Sequence, residues 1–401
     1  MNSLSRQFWT YLLAASLFYV GMSIFFFLYN LFLIDFGYTE QFLGEVRSAY
    51  ALGGIAGAIP AGILAQRLGL RRTMLLYVTL VVVLSGSLAL IVSATPQLCL
   101  AFFASFAATG WSVCTFPAVA QLTSDQNRSL GFSLNTASGI GLGIVAGLAG
   151  SGLPALLSHI VPTATSGQLK QGALLVSCGM IAMALWPAAR LRLISPPPPE
   201  KKRGLHSFFL LRFLAAIAVW SLATSAFTPF FNAYCARYLR MPLSQIGVAF
   251  SVSQLSSMLA TVAAPFLFEK VGLLAGVTYT QLAAAVALGC LARTSAASGA
   301  TAAYTMYAAF LWMSEPGMFT LLMNRVHPSE RNAASSLALV VISLSSALAA
   351  PIAGGSFARY GYPAVLGITA AATLVAACLF RVLIGRELPY PAQPTMKEAC
   401  S

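Results

Sequence analysis

One acid in this sequence sits where charge is costly. Glu315, in the run Trp312-Met313-Ser314-Glu315-Pro316-Gly317, falls inside a long apolar stretch and is the one acid clearly at that depth. A charged side chain at the centre of an apolar span costs about 2.5–3.5 kcal/mol on insertion scales, so it needs a reason to be there. Two reasons stand: a carboxyl group that exchanges a proton or touches a solute, or a structural anion bonded to a neighbouring helix end or a basic loop. Pro316 has no amide hydrogen and Gly317 is permissive, so the backbone beside the acid can loosen and present carbonyls.

Other polar side chains at comparable depth come in matched places. Asn30 follows Tyr29, and Asn232 precedes Tyr234 by two residues. A buried amide needs hydrogen-bond partners, and a bound solute or a facing helix can equally supply them. Trp111 and Trp312 are candidates for stacking on an apolar or aromatic solute, with filling of the interior as the other reading. Asn135 and Gln254 complete the cavity-lining candidates, with Gln121 and Gln281 behind them. Asp35, Glu45 and Arg47 cluster near the ends of two apolar stretches, where long charged side chains either snorkel to an interface or form an ion-paired gate.

Several chemistries are disfavoured. His159, His206 and His327 fall in loops or at stretch ends with no ligand spacing, and none of the seven cysteines has metal-ligand spacing. Neither a metal nor another cofactor is expected. A membrane enzyme would need convergent nucleophiles, acids or ligands at one depth. No Gly-x4-Gly-Lys-Ser/Thr loop is present, which argues against ATP hydrolysis.

The elements that position these residues are read from the shortage of charge. Only 8% of the 401 residues are charged, against roughly a quarter in a soluble domain. Charge-poor segments of about 20 residues, each enough to cross about 30 Å of hydrocarbon as a helix, recur along the chain. They are placed near 8–34, 43–65, 73–94, 98–121, 130–157 and 172–189, then 208–235, 243–268, 273–291, 298–323, 333–357 and 362–384. The first stretch lacks the short apolar region and small-residue cleavage site of a secretory signal, so it is expected to stay in the protein.

The net charge of +13 is spread over short loops instead of one basic face, so nucleic acid is not the expected partner. Arg67, Arg71, Arg72, Arg128, Arg190, Arg192, Lys270, Arg325 and Arg331 fall on one side of the spans, with Lys201, Lys202 and Arg203. The other side keeps Arg47, Lys170, Arg237, Arg240, Arg293 and Arg359. Positive loops stay inside, so both termini are expected in the cytoplasm. Ser195 to Gly204 contains Pro196-Pro197-Pro198-Pro199 and a basic cluster, a stiff seam. The expected organisation is a bundle over 1–190, a cytoplasmic linker over 191–206, a second bundle over 207–385 and a cytoplasmic tail over 386–401.

The halves repeat. Asn30 leads through Gly44 to Gln66-Arg67-Leu68-Gly69-Leu70, and Asn232 leads through Gly247 to Glu269-Lys270-Val271-Gly272-Leu273, with the same spacing from Gly44 to Gly69 as from Gly247 to Gly272. Phe116-Pro117 likewise parallels Glu315-Pro316. Two homologous six-helix bundles around a central axis follow. Small residues concentrate in the fifth span, at Gly139, Gly141, Gly143 and Gly147, and in the eleventh, at Ala350-Pro351-Ile352-Ala353-Gly354-Gly355; such residues let helix backbones approach closely.

The loop Gly62-Ile63-Leu64-Ala65-Gln66-Arg67-Leu68-Gly69-Leu70-Arg71-Arg72 resembles the signature loop of the major facilitator superfamily, and the resemblance covers essentially the whole chain. It implies an all-α membrane protein of about 12 transmembrane helices in two pseudo-symmetric six-helix bundles. It also implies that Gly62, Gln66, Arg67, Gly69, Arg71 and Arg72, with Glu269 and Lys270, form gating loops that latch helix ends; a purely topogenic role is the other reading. The family usually has an aspartate where Gln66 stands. Features of the drug antiporters are incomplete: Leu148 follows Gly147, and Ala107 occupies the place of their fourth-helix arginine.

The implied function is secondary transport of a small organic solute by alternating access, coupled to protons through Glu315. An uncoupled or lipid-handling carrier and a proton-driven multidrug exporter are the alternatives. Fixed multi-charge solutes are disfavoured, since Arg47 and Arg212 are read as too near span ends to neutralise them. The expected partners are a small-molecule substrate, protons and the lipid bilayer of the cell inner membrane, with the chain acting as a monomer.

Overall fold

The computed structural model describes residues 4–124, 127–193, 208–326 and 330–385. Most of the expected linker and all of the expected tail lie outside the described residues. The chain forms α1 (Arg6–Asp35), α2 (Glu40–Leu68), α3 (Leu70–Leu90), α4 (Ala94–Leu122), α5 (Arg128–Ile160) and α6 (Ser166–Ala189), then α7 (Phe208–Tyr238), α8 (Leu243–Val271), α9 (Leu273–Arg293), α10 (Ala297–Arg325), α11 (Arg331–Tyr360) and α12 (Tyr362–Gly385). Eleven of these are long and apolar enough to cross a membrane. The other, α10, has 29 residues, ample length at about 1.5 Å per residue, but its Ser, Thr, Gly and Tyr content and Glu315 dilute its hydropathy. The protein is thus a multi-pass, all-α membrane protein.

Two helices are broken where the sequence forces it. Ala184 interrupts α6 before a last short turn at Leu185–Ala189, which carries Pro187. In α7 the regular helix ends at Ser225, a tight turn follows at Thr228–Phe230 around Pro229, and a wide turn closes the helix at Tyr234–Tyr238. Proline cannot donate to the helix ladder, so the break falls beside Pro229. Pro117 and Pro316 remain inside the matched α4 and α10.

The packing repeats as the sequence does. In the first half α1 packs on α5 and α6, α3 on α4 and α6, and α2 on α4. In the second, α7 packs on α11 and α12, α9 on α10 and α12, and α8 on α10. Each pairing maps onto its counterpart six helices later. The halves meet along α2 with α11 and along α5 with α8, two seams related by the same pseudo-two-fold.

Small residues make these seams. A Cβ on Gly44 would collide with the carbonyl oxygen of Ala350, and one on Gly354 with that of Glu40. On the other seam Gly147 and Gly247 face each other's carbonyls. With no side chain between them, the backbones come close enough to seal one end of the molecule. That closed end carries the α1–α2, α5–α6, α7–α8 and α11–α12 connections. The opposite end carries the α2–α3 and α8–α9 turns, made by Gly69 at φ +83° and Gly272 at φ +84°, a left-handed conformation that glycine adopts without strain.

Candidate functional site

Between the halves lies a cavity of about 440 Å³. Its walls come from both bundles: Tyr29 and Tyr50 from α1 and α2, Trp220 and Thr224 from α7, Trp312 and Glu315 from α10. Most of the surface is aromatic or aliphatic, broken by hydroxyls and the amides of Asn30 and Asn232. This is the composition of a small-molecule site, apolar for burial with a few polar groups to orient the occupant.

Two lining residues carry charge, one from each half: Arg47 on α2 and Glu315 on α10. Glu315 is partly buried and has no hydrogen bond or ion pair among the described residues. The Arg47 Nε is buried with no hydrogen-bond partner among the described residues, and its guanidinium carbon lies 5.9 Å from the centre of the Tyr50 ring. Arg47 therefore belongs to the cavity and not to the interface assigned to it from sequence. Because α2 begins at Glu40, Arg47 lies two turns inside the helix.

The cavity is roofed at the closed end by bonds between the halves. Asn30 Nδ2 donates to the Pro229 carbonyl at 2.7 Å, and Asn232 Nδ2 donates to the Phe27 carbonyl at 2.9 Å. Glu40 accepts from Arg237 Nη1 at 2.7 Å and from the Tyr362 hydroxyl at 3.0 Å, while Arg237 also donates to the Tyr38 carbonyl at 2.5 Å. Ser251 donates to the Ile144 carbonyl at 2.7 Å. Among the described residues the ion pair across the halves is thus Glu40–Arg237. The sequence-based candidates do otherwise: Asp35 is held within its own half by Lys170 at 2.7 Å, and Glu45 accepts from Gln41 at 3.1 Å.

Of the residues expected around a cavity, Tyr29, Asn30, Asn232, Trp312 and Glu315 line it. Tyr29 is fixed there by a hydrogen bond to Gln97, which in turn donates to the carbonyls of Leu88 and Ile91. Four do not line it. Trp111 is fully buried in the core of the first half, stacked on Phe18 at 4.6 Å, because its face of α4 turns toward α1. Asn135 accepts from the Tyr11 hydroxyl at 2.9 Å in the same core. Tyr234 is fully buried beside Phe227, with its hydroxyl near the Thr294 carbonyl. Gln254 lies over Gly143 on the α5–α8 seam, filling the space a side chain there would take.

In the expected gating loops, Gln66, Arg67, Arg71, Arg72, Glu269 and Lys270 are exposed, without hydrogen bonds or ion pairs among the described residues. Gly62 has open space around it, and Gly69 makes the turn.

The sequence matches the family model of the Major Facilitator Superfamily over residues 11–350, so the chain belongs to that superfamily of transporters. Solved structures share the fold. A bacterial homolog of the human lysosomal transporter Spinster, in an inward-facing and unoccupied conformation, superposes with a TM-score of 0.77 at 15% identity over 94% of this chain and 96% of that one. The nucleoside transporter NupG gives 0.78 at 15% identity, over 96% and 100%. The xylose transporter XylE from E. coli, inward open, gives 0.72 at 13%, over 98% of each. No curated protein matches the chain by sequence. As a superfamily transporter, the protein works in a membrane on a small-molecule substrate.

Proposed function

We propose that the protein is a proton-coupled secondary transporter of a small organic solute in the cell inner membrane, working as a monomer by alternating access. The observation that carries this reading is Glu315, an acid without a hydrogen-bond or ion-pair partner among the described residues, in the wall of a cavity between two clasped halves. Such a carboxyl group can take a proton from one side and release it to the other as the halves rock, because its surroundings change with the motion. The rocking bodies are 1–190 and 207–385, joined by the linker 191–206, with both termini in the cytoplasm. The end opposite the sealed one is, in this reading, the open end and faces inward: it carries Arg67, Arg71, Arg72, Lys270 and Arg325. The gating loops Gln66–Arg72 and Glu269–Lys270 meet when that end closes.

The test is Glu315→Gln in proteoliposomes containing a pH-sensitive dye, screened with labelled solutes. Wild type accumulates a solute down an imposed pH gradient and moves protons with it; the variant loses both but retains part of the solute exchange. Wild-type accumulation and proton movement in Glu315→Gln would remove the coupling role and leave Glu315 a structural acid.

A further inference from the structure

We propose that Arg47 is the anion-binding residue of the cavity, and that the solute carried is an organic monoanion: one carboxylate on an aromatic or otherwise apolar body. This rests on the reading of the cavity as the transport site and names the chemistry of what it takes.

The first ground is the isolation of the guanidinium. Arg47 lines the cavity, its Nε is buried without a hydrogen-bond acceptor, and it is absent from the ion pairs of the described residues. Neighbouring acids are committed elsewhere. Asp35 takes Lys170 and Ser166, Glu40 takes Arg237 and Tyr362, and Glu45 accepts from Gln41. The Tyr50 ring face offers a cation–π contact, and the buried Nε–H is left without an acceptor among the described residues. Donors held out of water without acceptors are expensive, and a planar fork of them matches the two oxygens of a carboxylate.

The second ground is the rest of the wall. Phe25, Tyr29, Tyr50, Trp220 and Trp312 give it aromatic faces, which suit a ring or chain more than a sugar or a hydrated ion. Glu315, on the other half, is the second charge. A second anionic group on the solute would approach that carboxylate at low dielectric, so dicarboxylates and phosphates are disfavoured, whereas an ammonium group is tolerated. Because Arg47 and Glu315 belong to different bundles, a solute held by Arg47 is handed past Glu315 when the halves move.

The experiment uses the full chain purified in detergent, with phenylacetate, phenylalanine, phenylacetamide and phenethylamine as probes, read by thermal shift and calorimetry. At least one of the two carboxylates is expected to bind and raise Tm, and to bind at least tenfold more tightly than phenylacetamide or phenethylamine. Arg47→Gln is expected to weaken carboxylate binding about tenfold or more with the Tm of the free protein at or above that of wild type, and Arg47→Lys to restore part of it. Equal binding of phenylacetate and phenylacetamide, wild-type carboxylate binding in Arg47→Gln, or no binding by either carboxylate would each overturn the proposal. Should Arg47→Gln simply fold poorly, the wild-type comparison of carboxylate with amide decides alone. These outcomes are separate from the coupling reading: loss of the carboxylate preference with proton movement intact removes Arg47 only, and proton movement unaffected by Glu315→Gln removes coupling only.

Discussion

Asn30 and Asn232 each hold the other's helix. The amide of Asn30 donates across to Pro229 on α7, and the amide of Asn232 donates back across to Phe27 on α1, so one residue and its repeat counterpart form a reciprocal clasp. The break in α7 at Thr228–Phe230 forms one side of it, since the acceptor is the Pro229 carbonyl of that turn. Both residues also line the cavity, so the clasp is its roof.

That clasp has to open whenever the closed end opens. Asn30→Ala and Asn232→Ala each remove one hydrogen bond that holds the roof closed, about 1 kcal/mol each, and each is expected to shift the population several-fold toward an open roof. The measurement is labelling of Ser221→Cys, a cavity-lining position, by a membrane-impermeant thiol reagent from the closed-end side. Unchanged labelling in both variants would show that the clasp is also kept in the other state.

Arg237 and Glu40 form the second lock. Arg237→Gln leaves the Glu40 carboxylate with the Tyr362 hydroxyl but no cation, in a site where its side chain is 9% exposed. Arg237 itself is 29% exposed, so solvent screens part of the pair, and the expected loss is about 1–2 kcal/mol. Tm should fall and closed-end labelling of Ser221→Cys should rise. Glu40→Gln added to Arg237→Gln should recover part of the stability, because it removes the uncompensated charge. A double variant no more stable than Arg237→Gln alone would count against the pair as the origin of the effect.

Much of this arrangement was legible because equal spacing leaves a trace. Gly44 with Gly247 and Gly69 with Gly272 stand in register along the chain, Asn30 with Asn232 joins them after a one-residue gap, and each pair takes matched positions in the fold. The direction each helix face turns was not legible. Helices apolar all round carry no amphipathic stripe, so Trp111 and Trp312 look alike in sequence although one is fully buried in a bundle core and the other is 43% exposed on the cavity. Arg47 was hidden for a different reason. Glu40-Gln41 looks like loop when α2 is started at Leu43, and the polar group that lets the helix begin earlier, Arg237, comes from the other half.

Orientation is open to a direct test. A cysteine at Glu200 in the linker and one at Thr163, exposed in the α5–α6 connection, lie on opposite sides if both termini are cytoplasmic. Thr163→Cys should react with an impermeant thiol reagent in intact cells and Glu200→Cys only after permeabilisation, with Cys99, Cys290 and Cys378 controlled for. The reverse pattern would invert the protein, and the cavity would then open outward.

At Gln66 the resemblance to the superfamily's signature loop implies an aspartate, and Gln66→Asp tests whether this loop gates. Gln66, Arg67, Arg71 and Arg72 are exposed at the open end, with no partner among the described residues. An aspartate that pairs only with Arg67 or Arg71 of its own loop gains equally in both states and shifts nothing, since only a differential interaction moves an equilibrium. An aspartate that also reaches a basic residue of the second half does so only when the open end closes. Gln66→Asp is therefore expected to favour that closed state by about 1 kcal/mol, the scale of an exposed pair, and to lose the effect at high salt. Labelling of Ser221→Cys should fall from the open-end side and rise from the other by a few-fold at low ionic strength. Unchanged labelling from both sides, with Tm intact, would mean that this loop holds its charges for topology and not for gating.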